Sequence, residues 1–126
     1  MDSTMDVAKK LVAYCNAGKN MDAVNALYSQ DVESTEVHGM PELPAHMKGI
    51  DDIRRKNQWW LDNHEIHGGQ AMGPWPHGER FIVHFKYDVT AKTGPMAGKR
   101  MQRDEAGLYT VRDGKIVREE FFYHMG

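Results

Sequence analysis

The last quarter of the chain, Gly107 to Met125, reads GLYTVRDGKIVREEFFYHM, and no other stretch constrains the fold as strongly. Two β-rich runs flank Asp113-Gly114, a pair that supplies the positive backbone angles of a tight two-residue hairpin turn. Strands therefore close the chain. Helix-patterned segments fill the first half and strands the second, an order that predicts helices laid on one face of an antiparallel sheet. A sheet curled around helices leaves a pocket, and function is to be sought there.

The 126 residues fit one domain over 1–126, which buries roughly two-thirds of its unfolded surface and can still spare a cavity. Apolar residues at 40%, charged residues at 27% and a formal charge of −2 give no electrostatic case for nucleic acid or an anionic membrane as partner. The single cysteine, Cys15, excludes an internal disulfide. Asp2 and Asp6 stand where a secretory signal would be basic and then apolar, so cytoplasmic residence is the expectation. No apolar run approaches the roughly 20 residues of a membrane span, which predicts a soluble protein.

Ser3 or Thr4 can cap a first helix whose positions Val7, Ala8, Leu11, Val12 and Cys15 follow helical spacing up to a stop at Gly18. A second helix runs from Met21 to Tyr28 with Asn20 as its cap. Asp31 to Val37 reads as a short strand, followed by an irregular connection through Gly39, Pro41 and Pro44. Helix three runs from about Ile50 to Asn63, with a stripe at Ile50, Ile53, Asn57, Trp60, Leu61 and His64. Glu65 to Trp75 is a glycine-interrupted strand ending in a turn at Pro74, Pro76 and Gly78. Phe81 to Thr90 alternates most clearly, with Phe81, Val83, Phe85, Tyr87 and Val89 on one face. Arg100 to Val111 and Lys115 to His124 are the last two strands.

This order resembles the nuclear transport factor 2-like superfamily, in particular its SnoaL-like polyketide cyclase and ketosteroid isomerase-like branch. The resemblance covers nearly the whole chain. It rests on helix two running into Leu27-Tyr28-Ser29-Gln30-Asp31, on Gly49-Ile50-Asp51-Asp52-Ile53, and on Tyr109-Thr110-Val111-Arg112-Asp113-Gly114-Lys115-Ile116-Val117. It implies an α+β fold in which a cone-shaped curved antiparallel sheet packs on three N-terminal helices, with a ligand site in the cone. Isomerases, cyclases, hydrolases, dehydratases and binding proteins share this fold, so the motifs specify the scaffold better than the reaction.

Laid on the isomerase pattern from Tyr28 and Asp31, the chain places Glu36 at the general-base position. There an apolar cone raises a carboxylate's pKa by desolvating its charged form. The isomerase also needs donors for the oxyanion, a helix-one tyrosine and a protonated aspartate. Here Tyr14 lies about one turn beyond the expected tyrosine and Gly107 occupies the aspartate position, which argues against authentic steroid isomerisation. Tyr109, Tyr123, Arg103 and Glu105 are the substitutes that strand alternation offers.

Asn57 and His64 interrupt the apolar stripe of helix three, as satisfied core groups or as ligand contacts. Trp60 is expected in the core, with Trp59, roughly 100° away, at a rim or an interface. Seven histidines raise the question of metal, but the His64/His67 pair lacks the His-Glu-x-x-His pattern and an obvious third ligand. Arg54-Arg55-Lys56 reads as the solvated face of helix three, and Cys15 as a buried hydrophobe.

Two functions follow. One is an isomerase- or cyclase-type enzyme without cofactor or metal. It would hold a hydrophobic small molecule among Phe81, Val83, Phe85, Trp60 and Tyr123, with Glu36 taking a proton beside a carbonyl and Tyr14, His38 or Asn57 positioning the ligand. The other is a non-catalytic binding or interaction module. Water activation by an aspartate-arginine-aspartate cluster is a third possibility, for which Arg103 with Asp88 or Asp104 is the nearest candidate. Pairing into a homodimer is expected through the sheet face bearing Ile82, Ala106 and Leu108.

Overall fold

The computed structural model describes residues 1–124, so Met125, at the end of the hairpin stretch, lies outside the described residues. Helix α1 (Thr4–Asn16) starts on a reciprocal cap. The Asp6 N–H donates to the Ser3 hydroxyl and the Ser3 N–H to the Asp6 carboxylate, each at 3.1 Å, filling groups that a first helical turn leaves open. Its stripe of Val7, Ala8 and Leu11 is buried. At the other end Asn16 grips Ala71 of strand β3 (His64–His77) through both halves of its amide, at 3.0 and 2.8 Å. Gly18, with φ of 72°, turns the chain. Helix α2 (Asn20–Leu27) has Lys19 at its cap position, so Asn20 is its first residue and not the expected cap; its side chain hydrogen-bonds the Tyr87 hydroxyl.

Strands β1 (Tyr28–Thr35), β2 (His46–Lys48), β4 (Arg80–Ala91), β5 (Arg100–Arg112) and β6 (Lys115–Phe122) join β3 in one six-stranded sheet of order β2-β1-β6-β5-β4-β3. Helix α3 (Ile50–Asn63) crosses between β2 and β3. The expected curved α+β architecture is present, with one seam different. β1 runs parallel to β6, so the sheet is mixed where a fully antiparallel one was expected. β2 is also new, a three-residue strand inside the segment read as irregular, paired with β1 from Glu33↔Lys48 to Thr35↔His46. Its middle residue, Met47, is 1% exposed, and burying that one side chain holds the short strand in place.

At the β5–β6 hairpin Asp113 and Gly114 take φ of 52° and 75°, the two positive values a type I′ turn requires. A register shift follows: Val111 faces Ile116 while Thr110 faces Arg118, leaving Val117 as the extra residue of a bulge. The inner sheet face and the helices share a core around Leu11, Val32, Ile53, Phe81 and Ile116. On the outer face Trp75, Ile82 and Leu108 stand in register across three strands, with Trp75 and Ile82 exposed. Among the described residues no helix is long and apolar enough to cross a membrane.

Candidate active site

Between the inner sheet face and the three helices lies a cavity of about 220 Å³. That is below the roughly 300–1,000 Å³ of sites for drug-sized ligands, so it fits a compact molecule. α1 contributes Leu11 and Cys15, α2 contributes Val24, and α3 contributes Lys56, Asn57, Trp59 and Trp60. The expected walls are redistributed. Phe85 lines the cavity, whereas Phe81 and Val83, 1% and 0% exposed, belong to the core beneath it. Tyr14 packs against the core outside the cavity wall, because it is Leu11 and Cys15, four residues apart on one face of α1, that turn to the cavity. Trp60 is half-buried at the wall instead of in the core, and Leu61, placed on the buried stripe by its spacing, is 43% exposed.

The cavity floor is a charged cluster. Lys56 is 8% exposed, not part of a solvated basic face. Its ammonium donates to Glu119 at 2.9 Å, to Ser34 at 2.7 Å and to Glu36 at 3.1 Å. Ser34 passes its own proton to Glu119 at 2.9 Å, and Tyr28 donates to the other Glu119 oxygen while its hydroxyl is bonded by Tyr109. Burial works against the Lys56 charge, but the Glu119 and Glu36 carboxylates outweigh it and hold the ammonium above its ordinary pKa. With all three protons committed, Lys56 is a fixed cation and no nucleophile.

Sequence reasoning missed both Lys56 and Glu119. Lys56 lies three residues after Ile53 and four before Trp60, so helical spacing puts it on the inward stripe, but its place in a basic run masked that. Glu119 shares strand parity with Phe121 and Tyr123, yet the bulge at Val117 breaks its parity with buried Ile116.

The Glu36 side chain is 10% exposed and faces the cavity just past the end of β1. One oxygen takes the Lys56 proton and the other takes the Tyr123 hydroxyl at 2.9 Å. The Val37 N–H donates to Tyr123 in turn. Burial, and then the Glu36 charge, raises the Tyr123 pKa, so the phenol keeps its proton. His38 sits exposed at the rim with Nδ1 on the Gly39 carbonyl at 2.7 Å.

β5 supplies the uncommitted groups. Glu105 is half-buried, faces the cavity and has no hydrogen-bond partner among the described residues. Burial first, and the neighbouring Glu36 charge second, push its carboxyl up to about 7. Two residues earlier, the Arg103 guanidinium lies 5.4 Å from the Trp60 ring and 5.5 Å from the Tyr123 ring. The carboxylates considered for it point elsewhere, since Asp88 is held by Arg100 and Asp104 by His84. Among the described residues the expected aspartate-arginine-aspartate cluster around Arg103 does not form. His64 stacks on Trp60 at 3.8 Å and bonds the Trp60 carbonyl through Nδ1 at 3.0 Å; burial lowers its pKa, so the ring is neutral near pH 7. Asn57 spends its Nδ2 on the Ile53 carbonyl at 2.9 Å.

Of the four substitute donors, then, Tyr109 and Tyr123 have given their protons away inside the protein, while among the described residues Arg103 and Glu105 have not. Burial pushes the Cys15 thiol up to about 12, so it is no thiolate nucleophile. Among the described residues no three His, Cys, Asp or Glu side chains are grouped to hold a metal ion.

Residues 2–123 match the family model of the SnoaL-like domain. A crystal structure from Mesorhizobium loti, described as a candidate SnoaL-like polyketide cyclase, is 38% identical, covers 97% of this chain and 100% of its own, and superposes with a TM-score of 0.88. An NTF2-like protein from Burkholderia thailandensis is 21% identical over 98% of this chain and 92% of its own, with a TM-score of 0.81. A candidate polyketide cyclase from Pseudomonas putida is 19% identical over 99% and 94%, with a TM-score of 0.74. These last two likenesses establish the fold alone. No match was found among the curated proteins.

Proposed function

Because the chain belongs to the SnoaL-like family, whose fold does not by itself specify a reaction, we propose from its site a cofactor-independent enzyme of the isomerase or cyclase type. It moves a proton on the carbon next to a carbonyl of a compact ligand. One observation carries this reading. Glu105, with a pKa of about 7, faces the same cavity as the Arg103 guanidinium, and among the described residues neither group has a hydrogen-bond partner.

A general acid–base group works best with a pKa near the working pH. The Glu105 carboxylate takes the C–H proton, the C–H electron pair becomes the carbon–carbon double bond, and the carbonyl π pair moves onto oxygen. Arg103 donates to that oxygen as its charge develops. Glu105 then returns the proton to a second carbon, giving an isomer; or the first carbonyl re-forms as the enolate carbon bonds a second carbonyl carbon of the same molecule, that carbonyl's π pair moves to its oxygen, and the oxygen takes the proton back from Glu105, closing a ring. The description of the Mesorhizobium loti neighbour as a cyclase accords with the second outcome.

In this scheme the motif-placed Glu36 is an anchor. Both its oxygens already accept hydrogen bonds, so it fixes Lys56 and Tyr123 and supplies charge that raises Glu105.

Solvent deuterium exchange at the carbon next to the carbonyl, followed by proton NMR over a panel of compact ketones and oxo acids, tests the proposal. Saturable exchange by the unaltered protein and a loss of about 100-fold or more in Glu105→Gln are expected. Exchange undiminished in that variant removes Glu105 from the role. A panel that binds without exchanging supports instead a ligand-binding protein that performs no reaction, the reading favoured by the fully bonded state of Glu36.

A further inference from the structure

Two cations line the cavity, Lys56 and Arg103, and they are used in opposite ways. Lys56 gives all its protons to Ser34, Glu36 and Glu119. Arg103 offers five N–H donors in a planar fork. Among the described residues none of them meets an acceptor at hydrogen-bonding distance, and Glu105 acts on Arg103 only through space. What holds the guanidinium is aromatic, the Trp60 ring at 5.4 Å and the Tyr123 ring at 5.5 Å. Cation–π attraction of this kind consumes no N–H group. The frame is itself fixed, because Trp60 stacks on His64 and the Tyr123 hydroxyl is tied to Glu36.

An unspent fork in a fixed aromatic frame, facing a small cavity, is a receptor for a planar anion, and carboxylate matches its geometry two bonds at a time. Resting on the proton-transfer reading above, we propose that the substrate is a compact oxo acid whose carboxylate and adjoining carbonyl oxygen are both held by Arg103, with the reacting C–H turned to Glu105. Residues i and i+2 of a strand project from one face about 6.7 Å apart, so the reacting carbon lies only a few bonds from the carboxylate. An oxo acid meets that spacing, because its carbonyl can adjoin the carboxylate and its acidic C–H lies one bond further. The cavity of about 220 Å³ accepts a single ring with a short acidic chain more readily than a fused ring system. The same cavity offers further acceptors, among them the Asn57 Oδ1, whose amide nitrogen is spent on Ile53, and the His64 Nε2, whose partner nitrogen is spent on Trp60. Each suits a hydroxyl carried by the ligand. An ester in the carboxylate's place forfeits the charge-assisted pair and leaves the guanidinium without an anion.

The test reads binding, so it stands apart from turnover. Titration calorimetry at pH 7 compares phenylpyruvate with its methyl ester on the full chain and on Arg103→Met, Arg103→Lys, Arg100→Met and Glu105→Gln. Arg100 is a control cation on the same strand, exposed and paired with Asp88. Phenylpyruvate is expected to bind the unaltered protein and Arg100→Met at least about tenfold tighter than the ester, a preference that Arg103→Met loses at an unchanged melting temperature. Arg103→Lys keeps the charge without the fork and should retain only part of it; should Arg103→Met melt early, this variant decides, and a full preference there overturns the proposal. Equal affinity for acid and ester in the unaltered protein, a preference that persists without Arg103, or no binding of phenylpyruvate also overturns it. Glu105→Gln should keep the acid preference while losing proton exchange; if the unaltered protein shows the preference but no exchange, the catalytic reading fails and the carboxylate site stands.

Discussion

The Lys56 ammonium and the Glu119 carboxylate meet at 2.9 Å beneath the cavity, one brought by α3 and the other by β6, and their pairing ties the helical layer to the last strand of the sheet. Glu36 joins from the end of β1. Three segments far apart in the chain converge on one nitrogen. The cluster is therefore a structural joint first, and through its effect on Glu105 an electrostatic setting second.

Breaking one side of this joint should be more damaging than removing both. Lys56→Met strands Glu119, 2% exposed, beside Glu36 with no cation, and loss of one partner of a buried pair typically destabilises by about 3–5 kcal/mol. Adding Glu119→Gln neutralises the stranded charge, so the double variant should recover a good part of that loss. Urea unfolding of both variants checks this, and strictly additive losses would show that the two groups do not depend on each other.

Glu105 has the opposite effect on stability. Its carboxyl titrates near 7 in the fold against an ordinary 4.5, so between those values the folded chain holds a proton that the unfolded chain has released. More protons bound to the native state means that stability falls as pH rises through this window and levels off above it. Glu105→Gln lacks this loss. Unfolding midpoints of the two proteins should diverge from about pH 5 to about pH 7.5, with the variant the more stable at the upper end. Parallel curves would mean that the folded and unfolded chains titrate Glu105 alike.

How far this could be read from the sequence depends on how local each signal is. The cap at Ser3, the Asp113-Gly114 turn and the alternation of β4 are set by neighbours one to four positions away, and they are where the spacing put them. The β1–β6 seam joins residues about 85 positions apart, such as Ser34 and Glu119, with no local trace of its direction. Charge type misled at Lys56, where a buried ammonium looks like its neighbours, half-buried Arg54 and exposed Arg55, until its acceptors Ser34, Glu36 and Glu119 are known. Glu36, Arg103, Glu105 and Tyr123 are brought to one cavity as their positions suggested. Their division into spent and unspent groups came only from partners outside their own segments.

Tyr123 illustrates the spent kind. Its proton goes to Glu36 at 2.9 Å, so Tyr123→Phe removes an anchor and not a reactive group. We expect a stability loss of about 1 kcal/mol, below the usual value for a bond to a charged acceptor because water reaches this half-buried site. Proton exchange on a responsive ligand should fall by no more than about tenfold, against about 100-fold or more for Glu105→Gln. A reversed order, with Tyr123→Phe the more damaging to exchange, would make the tyrosine the oxyanion donor.

Gly107 stands where the resemblance to the isomerase branch implied an aspartate, and a tyrosine ring crowds that place. A Cβ built there would lie 2.7 Å from Cε2 of Tyr109 and 3.1 Å from its hydroxyl. That ring has nowhere to go: it is 2% exposed, stacks on Phe81 at 5.0 Å, meets Phe121 edge-on at 6.1 Å and bonds the Tyr28 hydroxyl. Gly107→Ala should therefore overpack the site at a cost of about 1–3 kcal/mol, more than the roughly 0.4–1 kcal/mol gained by restricting the unfolded chain. Gly107→Asp should be worse still, because the added carboxylate would enter a space already held by a phenol. Gly68, with nothing within 4 Å of its Cβ direction, is the control, and Gly68→Ala should be neutral or mildly stabilising. Chemical denaturation ranks the three. If Gly107→Ala proved as stable as Gly68→Ala, the tyrosine ring would have room to move and the absence of the aspartate would need a cause other than packing.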